Sequence, residues 1–202
     1  CDEDSCSNSV VGVGIADVDP TIESIYITEF METVNNERPD PVIGYEVLPM
    51  RFGVTASPGA PNDPITLYLS SPGGHVESGD VIYDIIKFIK PPVRIIGTGW
   101  VASAATTIYL AADIDKRFAL PNTRFLIHQP LGGSRGDATD IAIQAEQIVR
   151  TKTRINQLIS KETGQPLDRV AKDTDRDYWM TVDEAVSYGI VSKIIESVDE
   201  LT

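Results

Sequence analysis

Acyl transfer to a serine requires a hydroxyl held at an exposed, fixed position, a base within reach, a group that orients the base, and amide donors for the oxyanion. The 202-residue chain has a candidate for each. Ser103 comes shortly after the apolar run Val93–Gly97, among Gly97, Gly99, Ala102, Ala104 and Ala105. A serine in a tight strand-to-helix turn points its hydroxyl outward, small neighbours let a substrate backbone approach, and a helix start favours negative charge. The plainer reading of Ser103 is a helix N-cap. His128 follows the run Arg124–Ile127, and strand ends are where α/β sheets carry functional residues. Its plainer reading is a histidine bonded to backbone. His75 is the rival base; it directly follows Gly74 and so is expected near the same cleft. Spacing alone does not choose the orienting acid among Asp173, Asp175 and Asp177, whose default role is exposed pairing with Arg176. Ser71-Pro72-Gly73-Gly74 is a glycine turn whose unobstructed N–H groups could face a ligand oxygen, or simply a tight turn. It is not a phosphate loop, because no Gly-Lys-Ser/Thr follows.

These residues need elements to hold them. Ile25–Met31 alternates in places and reads as a strand. Six of the thirteen prolines lie between Pro39 and Pro64, so a helix within Val42–Thr55 would break or kink at Pro49, and Ser57–Pro64 is a loop by composition. After Pro64 the pattern sharpens. Ile65–Leu69 predicts a short strand leading into the glycine turn. Val81, Ile82, Ile85, Ile86 and Ile89 fall on one helical face, stopped by Pro91-Pro92. Val93–Gly97 predicts a buried strand broken by Gly99, Ser103–Ala112 a helix, and Arg124–Ile127 another strand; Gly132-Gly133 is a break. A long helix is predicted over about Thr139–Glu162, with Ile141, Ala145, Ile148, Ile155 and Leu158 as its apolar stripe and Gly164 as its stop. Thr181-Val182-Asp183-Glu184 matches a capping box, its helix ends near Gly189, and Ile190–Ile195 reads as a last strand. Alternating strands and helices predict an α/β fold.

Composition excludes other classes. The chain carries 17 Lys and Arg against 30 Asp and Glu, a net charge of −13, which argues against a nucleic-acid binder and against an anionic-membrane binder. The acidity is uneven: residues 1–63 hold 12 acidic and 2 basic residues, and residues 64–202 hold 18 and 15. With 42% hydrophobic and 23% charged residues, the chain reads as globular and long enough to bury a core without staples. Cys1 and Cys6 are the only cysteines, so no disulfide framework is expected, and a reducing compartment suits two tail thiols best. His75 and His128 are the only histidines, so no zinc site is expected. The start at Cys1 reads as a processed or trimmed end, and no signal peptide is visible. Ile95–Ala112 runs uncharged for 18 residues, but its glycine, serine and threonine suit a buried strand, turn and helix better than a membrane span.

Taken together, the segments resemble one family. Leu67-Tyr68-Leu69-Ser70-Ser71-Pro72-Gly73-Gly74, Gly99-Trp100-Val101-Ala102-Ser103-Ala104, Leu120-Pro121-Asn122-Thr123-Arg124-Phe125-Leu126-Ile127-His128-Gln129-Pro130-Leu131-Gly132-Gly133, Lys161-Glu162-Thr163-Gly164-Gln165-Pro166-Leu167 and Asp173-Thr174-Asp175-Arg176-Asp177 look like the proteolytic subunit of the ATP-dependent Clp protease. The resemblance covers about residues 64–197, and the spacings agree: 29 residues from Gly74 to Ser103, 25 to His128, and 49 more to Asp177. It implies a ClpP/crotonase-like spiral of β-α units with a protruding helix-plus-strand handle, about residues 132–162. It implies Ser103 as nucleophile, His128 as base, Asp177 as the orienting acid, and the N–H groups of Gly74 and Ala104 as the oxyanion hole. Substrate would be bound as an added strand by Gly73, Gly74, His75 and Val76 on one side and Leu131, Gly132 and Gly133 on the other. Asp175 and Arg176 match a ring-to-ring contact, Tyr68 and Phe118 a docking groove for an AAA+ Clp ATPase, and the assembly implied is a homo-oligomer of two heptameric rings. No cofactor is implied, the substrates are unfolded polypeptides and peptides, and the compartment is cytoplasm or an organelle matrix or stroma.

The departures lie mainly before residue 64. The expected division is a flexible tail (1–20), a divergent acidic part of the head (21–63) and a catalytic head with handle (64–202). The segment from Ser24 to Ser71 is about nine residues longer than in the family, and the axial loop is not recognisable. Ala104 stands where the family usually has Met, and Thr66 where it has a second docking aromatic. An unusually acidic apical face is therefore expected. The alternatives are a non-catalytic ring subunit requiring a catalytic paralogue, an acyl-CoA-binding crotonase relative, and a Ser/Lys peptidase, for which Lys87 and Lys90 are expected to face away.

Overall fold

A computed structural model describes residues 25–29 and 50–55, as backbone strands, and residues 65–201. The expectations for the 1–20 tail, for Cys1 and Cys6, for a helix over residues 42–49, for the 57–64 loop and for an acidic apical face fall outside the described residues.

The chain alternates strands and helices, because its apolar period switches between two and about three and a half residues. The elements are β1 (Ile25–Glu29), β2 (Met50–Thr55), β3 (Ile65–Ser71), α1 (Val76–Phe88), β4 (Val93–Ala102), α2 (Ala104–Tyr109), β5 (Arg117–Ala119), β6 (Arg124–Ile127), α3 (Ala138–Thr163), α4 (Leu167–Asp173), β7 (Tyr178–Thr181), α5 (Val182–Tyr188) and β8 (Lys193–Ile194). They form one mixed sheet ordered β1-β2-β3-β4-β5-β8, with β6 paired to β4 and β7 to β6. Strands β3, β4, β5 and β6 run parallel, as β-α crossovers require, while β1, β2 and β7 are antiparallel to their neighbours. Met50–Thr55 is therefore a strand, where a Pro-kinked helix was expected.

The strand β4 decides the shape. Gly99 was expected to break it, but the strand runs on to Ala102. Gly99 instead takes a left-handed φ of 61° within a bulge, where the β3 partners shift from Leu69↔Gly97 to Ser71↔Val101. Before the bulge β4 pairs with β5; after it, β4 pairs with β6 through Trp100↔Arg124 and Ala102↔Leu126. One strand thus serves two neighbours, and its second half leads straight into Ser103.

The core lies between the sheet and its helices, with Leu69, Ile95, Ile108, Phe125 and Ile190 wholly buried. Each such side chain contributes about 1.5–3 kcal/mol of burial free energy. Among the described residues, the buried side-chain polar atoms are paired, except Arg94 Nε. Tyr109 meets the edge of Phe125 at 5.1 Å and donates its hydroxyl to Phe118 O at 2.7 Å. Arg117, 1% exposed, donates to Ala112 O, Leu110 O, Glu162 O and the Glu162 carboxylate, all at 2.7–2.8 Å. Tyr83 donates to the same carboxylate at 2.8 Å, and Lys87 lies 3.7 Å from it. Burial works against the Glu162 charge, but Tyr83, Lys87 and Arg117 outweigh it and hold this carboxyl below the usual glutamate range. The Tyr83 hydroxyl is pushed up, by burial first and then by its bond to Glu162. This cluster ties α1 and β5 to the C-terminal end of α3.

The helices differ from expectation in their faces. On α1, Ile82 and Ile86, with Ile89 at its C-cap, pack on the core, whereas Val81, Ile85 and Phe88 are exposed. The single apolar face expected is two stripes, of which one is open. On α3, Asp137 caps the start and Gly164 the end with φ 74°, but only Ile155, Asn156 and Ile159 are buried. The N-terminal half stands away from the core with Ile141 exposed, so the apolar stripe serves the body of the protein only in its last turns. The capping box at Thr181 and Glu184 is present. The expected last strand shrinks to Lys193–Ile194, and α4, β5 and β7 are elements that periodicity did not show. No helix among the described residues is long and apolar enough to cross a membrane.

Candidate active site

Ser103 sits at the junction of β4 and α2 with φ 57° and ψ −124°, the one non-glycine residue at positive φ among the described residues. That conformation is disfavoured by the Cβ and costs about 1–3 kcal/mol, so the surroundings must impose it. They do so from two sides. Ser103 N donates to Leu126 O at 2.9 Å, joining the turn to β6. The glycine turn presses against it from the other side: a Cβ on Gly73 would lie 2.5 Å from Ala102 O, 2.7 Å from Ser103 Cβ and 2.9 Å from Ala104 N, and Gly73 itself has φ 90°. Only glycine fits there.

The hydroxyl makes no cap bond to α2, so Ser103 is not a plain N-cap. Its Oγ lies 2.7 Å from Nε2 of His128, and His128 Nδ1 lies 2.8 Å from Oδ1 of Asp177. A carboxylate can only accept, so Nδ1 carries the proton toward Asp177 and Nε2 is left to accept from the serine hydroxyl. The His128 side chain is 17% exposed and the Asp177 side chain 64%.

Sheet register explains the acid. The strands β6 and β7 pair antiparallel, with Ile127 opposite Tyr178, so His128 and Asp177 leave that pair side by side at the ends of adjacent strands. Trp100 and Trp179 stack across this corner at 6.3 Å and Arg124 lies over Trp179 at 4.4 Å, holding β7 in place. The other two aspartates are otherwise engaged. Asp173 accepts from the Tyr188 hydroxyl at 3.0 Å and pairs with Arg169; Asp175 pairs with Lys152 and Arg176. Pairing with Arg176 therefore describes Asp175 among the three.

His75 makes no hydrogen bond to Ser103. It is exposed at the start of α1, with Nδ1 3.0 Å from Ser78 Oγ and Nε2 3.2 Å from Glu77. Lys87 lies between Asp113 and Glu162. Beside Ser103 opens a pocket walled by Val76, Ala104, Ile127, Pro130, Ile155 and Ile159, with Thr106 and Thr107 also lining it. Two of these residues come from α3, whose base the Arg117–Glu162 cluster anchors. Leu131 is exposed, and Gly132 passes so close to α3 that a Cβ would lie 2.7 Å from Ile148 Cδ1. Asp175 and Arg176 are exposed on the surface next to Asp177. Tyr68 and Phe118 are half-buried and flank Ile96 across three strands, while Thr66 on the Tyr68 face is buried. Among the described residues no group of three His, Cys, Asp or Glu is placed to hold a metal ion. Sequence reasoning missed the buried Thr106 hydroxyl behind the serine turn; a threonine in an Ala-rich helix start carries no signal of its own.

Comparison with known proteins identifies the family to which the chain is similar. A family described as Clp protease matches residues 54–198. The chain is 57% identical over 148 residues to ATP-dependent Clp protease proteolytic subunit 3 of Rhizobium meliloti, covering 73% of this chain and 76% of that protein. It is 52% identical over 141 residues to ATP-dependent Clp protease proteolytic subunit 2 of Pseudomonas aeruginosa, covering 70% of each. Among solved structures it is similar to ClpP1 from Listeria monocytogenes, with a TM-score of 0.63, 55% identity, and coverage of 70% of this chain and 78% of that one.

Proposed function

The chain belongs to the Clp protease family and is a serine-type peptidase subunit of a Clp protease, and we propose that Ser103, His128 and Asp177 are the residues that cut the peptide bond. The observation that carries this reading is the unbroken run of hydrogen bonds, 2.7 Å from Ser103 to His128 and 2.8 Å from His128 to Asp177.

In the proposed reaction the Ser103 Oγ attacks the scissile carbonyl as His128 Nε2 takes the hydroxyl proton. Asp177 keeps Nδ1 protonated and stabilises the imidazolium. The carbonyl oxygen becomes an oxyanion facing the N–H groups of Gly74 and Ala104; the latter opens α2, where helix N–H groups have no intrahelical partner. His128 returns the proton to the leaving amine, and water then repeats the sequence on the acyl-enzyme. The substrate runs as a strand between Gly73–Val76 and Leu131–Gly133, held by main-chain bonds that tolerate many sequences. Its P1 side chain enters the apolar pocket of Val76, Ile127, Ile155 and Ile159.

The exposed Val81, Ile85 and Phe88 and the bare first half of α3 favour assembly with further copies. A double heptameric ring, with α3 as the handle, residues 64–202 as the catalytic head and Asp175 and Arg176 at the ring-to-ring contact, accounts for both surfaces. An AAA+ Clp ATPase would dock at Tyr68 and Phe118, and the compartment would be cytoplasm or an organelle matrix. The test is labelling with a fluorophosphonate followed by peptide mapping of the assembled protein. Modification of Ser103 with loss of activity on a short fluorogenic peptide is expected; activity that survives without Ser103 labelling rejects the reading.

A further inference from the structure

Thr106 is the third residue of α2 and 1% exposed. A threonine in a helix ordinarily satisfies its hydroxyl on the carbonyl three or four residues back. This one reaches out of the helix instead. Its Oγ1 donates to Leu126 O at 2.8 Å and lies 3.0 Å from Val101 O. Leu126 stands two residues before His128 on β6, and Val101 two residues before Ser103 on β4. One hydroxyl proton therefore lies between the ends of the two strands that bear the serine and the histidine.

The same carbonyl is shared. Leu126 O accepts from Ser103 N at 2.9 Å as well as from Thr106, and Thr106 N donates to Ser103 O at 2.9 Å. Ser103, Leu126 and Thr106 thus close a ring of hydrogen bonds around a serine whose backbone is at φ 57°. A backbone in that region relaxes unless several contacts oppose it. In a buried site each such bond is also hard to replace by water.

We propose that Thr106 is a positioning residue of the peptidase reaction: its hydroxyl clamps the ends of β4 and β6 and so keeps Ser103 Oγ within hydrogen-bond distance of His128 Nε2. The inference rests on the reading of Ser103 and His128 as nucleophile and base. The competing explanation is that Thr106 only fills space, since it also lines the pocket beside Ser103. The hydroxyl and the methyl can be separated by mutation.

Thr106→Ser and Thr106→Ala lack the same methyl and differ only in the hydroxyl. In the assembled protein, on a short fluorogenic peptide, the serine variant is expected to keep kcat within about twofold of the unaltered protein, while the alanine variant loses about fivefold in kcat at nearly constant KM. Fluorophosphonate labelling of Ser103 should slow by about the same factor in the alanine variant alone. Thr106→Val, which keeps the shape and removes the donor, should behave as alanine does and serves as the second measurement if the alanine protein fails to assemble. Equal kcat in the hydroxyl-bearing and hydroxyl-free variants, or a loss confined to KM, overturns the clamp while Ser103 still labels. Failure of Ser103 to label in the unaltered protein overturns the clamp and the underlying reading together.

Discussion

Ser103 Oγ and His128 Nε2 lie 2.7 Å apart although 25 residues of chain separate them. The β4–β6 pairing and the Leu126 carbonyl make that meeting possible. Substituting Ser103→Ala should abolish cleavage of a fluorogenic peptide, by about a thousandfold or more, and leave the melting temperature within a few degrees. The change removes one oxygen at the mouth of the site and relieves nothing in the core. A collapse of thermal stability in calorimetry would count against Ser103 as the nucleophile.

The two histidines should part company. His128→Ala removes the group between Ser103 and Asp177 and is expected to cost about as much activity as the serine change. His75→Ala removes an exposed side chain bonded to Ser78 and Glu77, so kcat should stay within about tenfold of the unaltered protein. Steady-state kinetics on both variants decides between them; a reversed order of effects would identify the wrong base.

Two aspartates make a sharper test than one. Asp177→Asn should lower kcat by about a hundredfold or more, because the amide no longer holds Nδ1 as a donor or stabilises the imidazolium. Asp173→Asn should leave kcat within about twofold, since that carboxylate serves Tyr188 and Arg169. If both variants cut peptide at the same rate, neither carboxylate orients His128.

Gly73→Ala should damage the site by geometry alone. Its methyl would meet Ala102 O, Ser103 Cβ and Ala104 N, all within 3 Å, and the φ of 90° adds strain. A loss of about 1–3 kcal/mol in denaturant unfolding, together with a fall in kcat, is expected. A variant as stable and active as the parent would mean that the turn does not press on Ser103.

The Arg117–Glu162–Tyr83 cluster should show in the acid limb of stability. The Glu162 pKa is lowered from 4.5 in the folded protein, so there the unfolded chain binds the proton first. Between that lowered value and the ordinary one, stability therefore rises with pH; its contribution is complete above the unfolded pKa and disappears as pH falls through the folded one. Glu162→Gln should flatten this dependence in melting curves taken from pH 3 to 6 (approximately the window of ordinary glutamate titration). An unchanged slope would show that Glu162 does not contribute it.

Much of this molecule was legible before folding was considered. The long helix with its Gly164 stop, the capping box at Thr181, the strand Arg124–Ile127 and the glycine turn depend on contacts between residues at most a few positions apart. Such interactions leave periodic and capping marks in the order of residues. The residue types for acyl transfer were legible for the same reason: a serine among small residues, a histidine at a strand end, a glycine pair.

The arrangement was not. Tyr178–Thr181 is too short to announce a strand, yet its register against β6 selects Asp177 over Asp173 and Asp175. Gly99 reads as a stop but acts as a bulge that carries β4 on to Ser103. The apolar residues of α1 read as one face, and burial divides them into a packed stripe and an open one. The left-handed backbone of Ser103 and the outward reach of the Thr106 hydroxyl depend on a carbonyl twenty or more residues away. Pairing across such distances is selected by the packing of the whole sheet, and no local stretch of sequence encodes it.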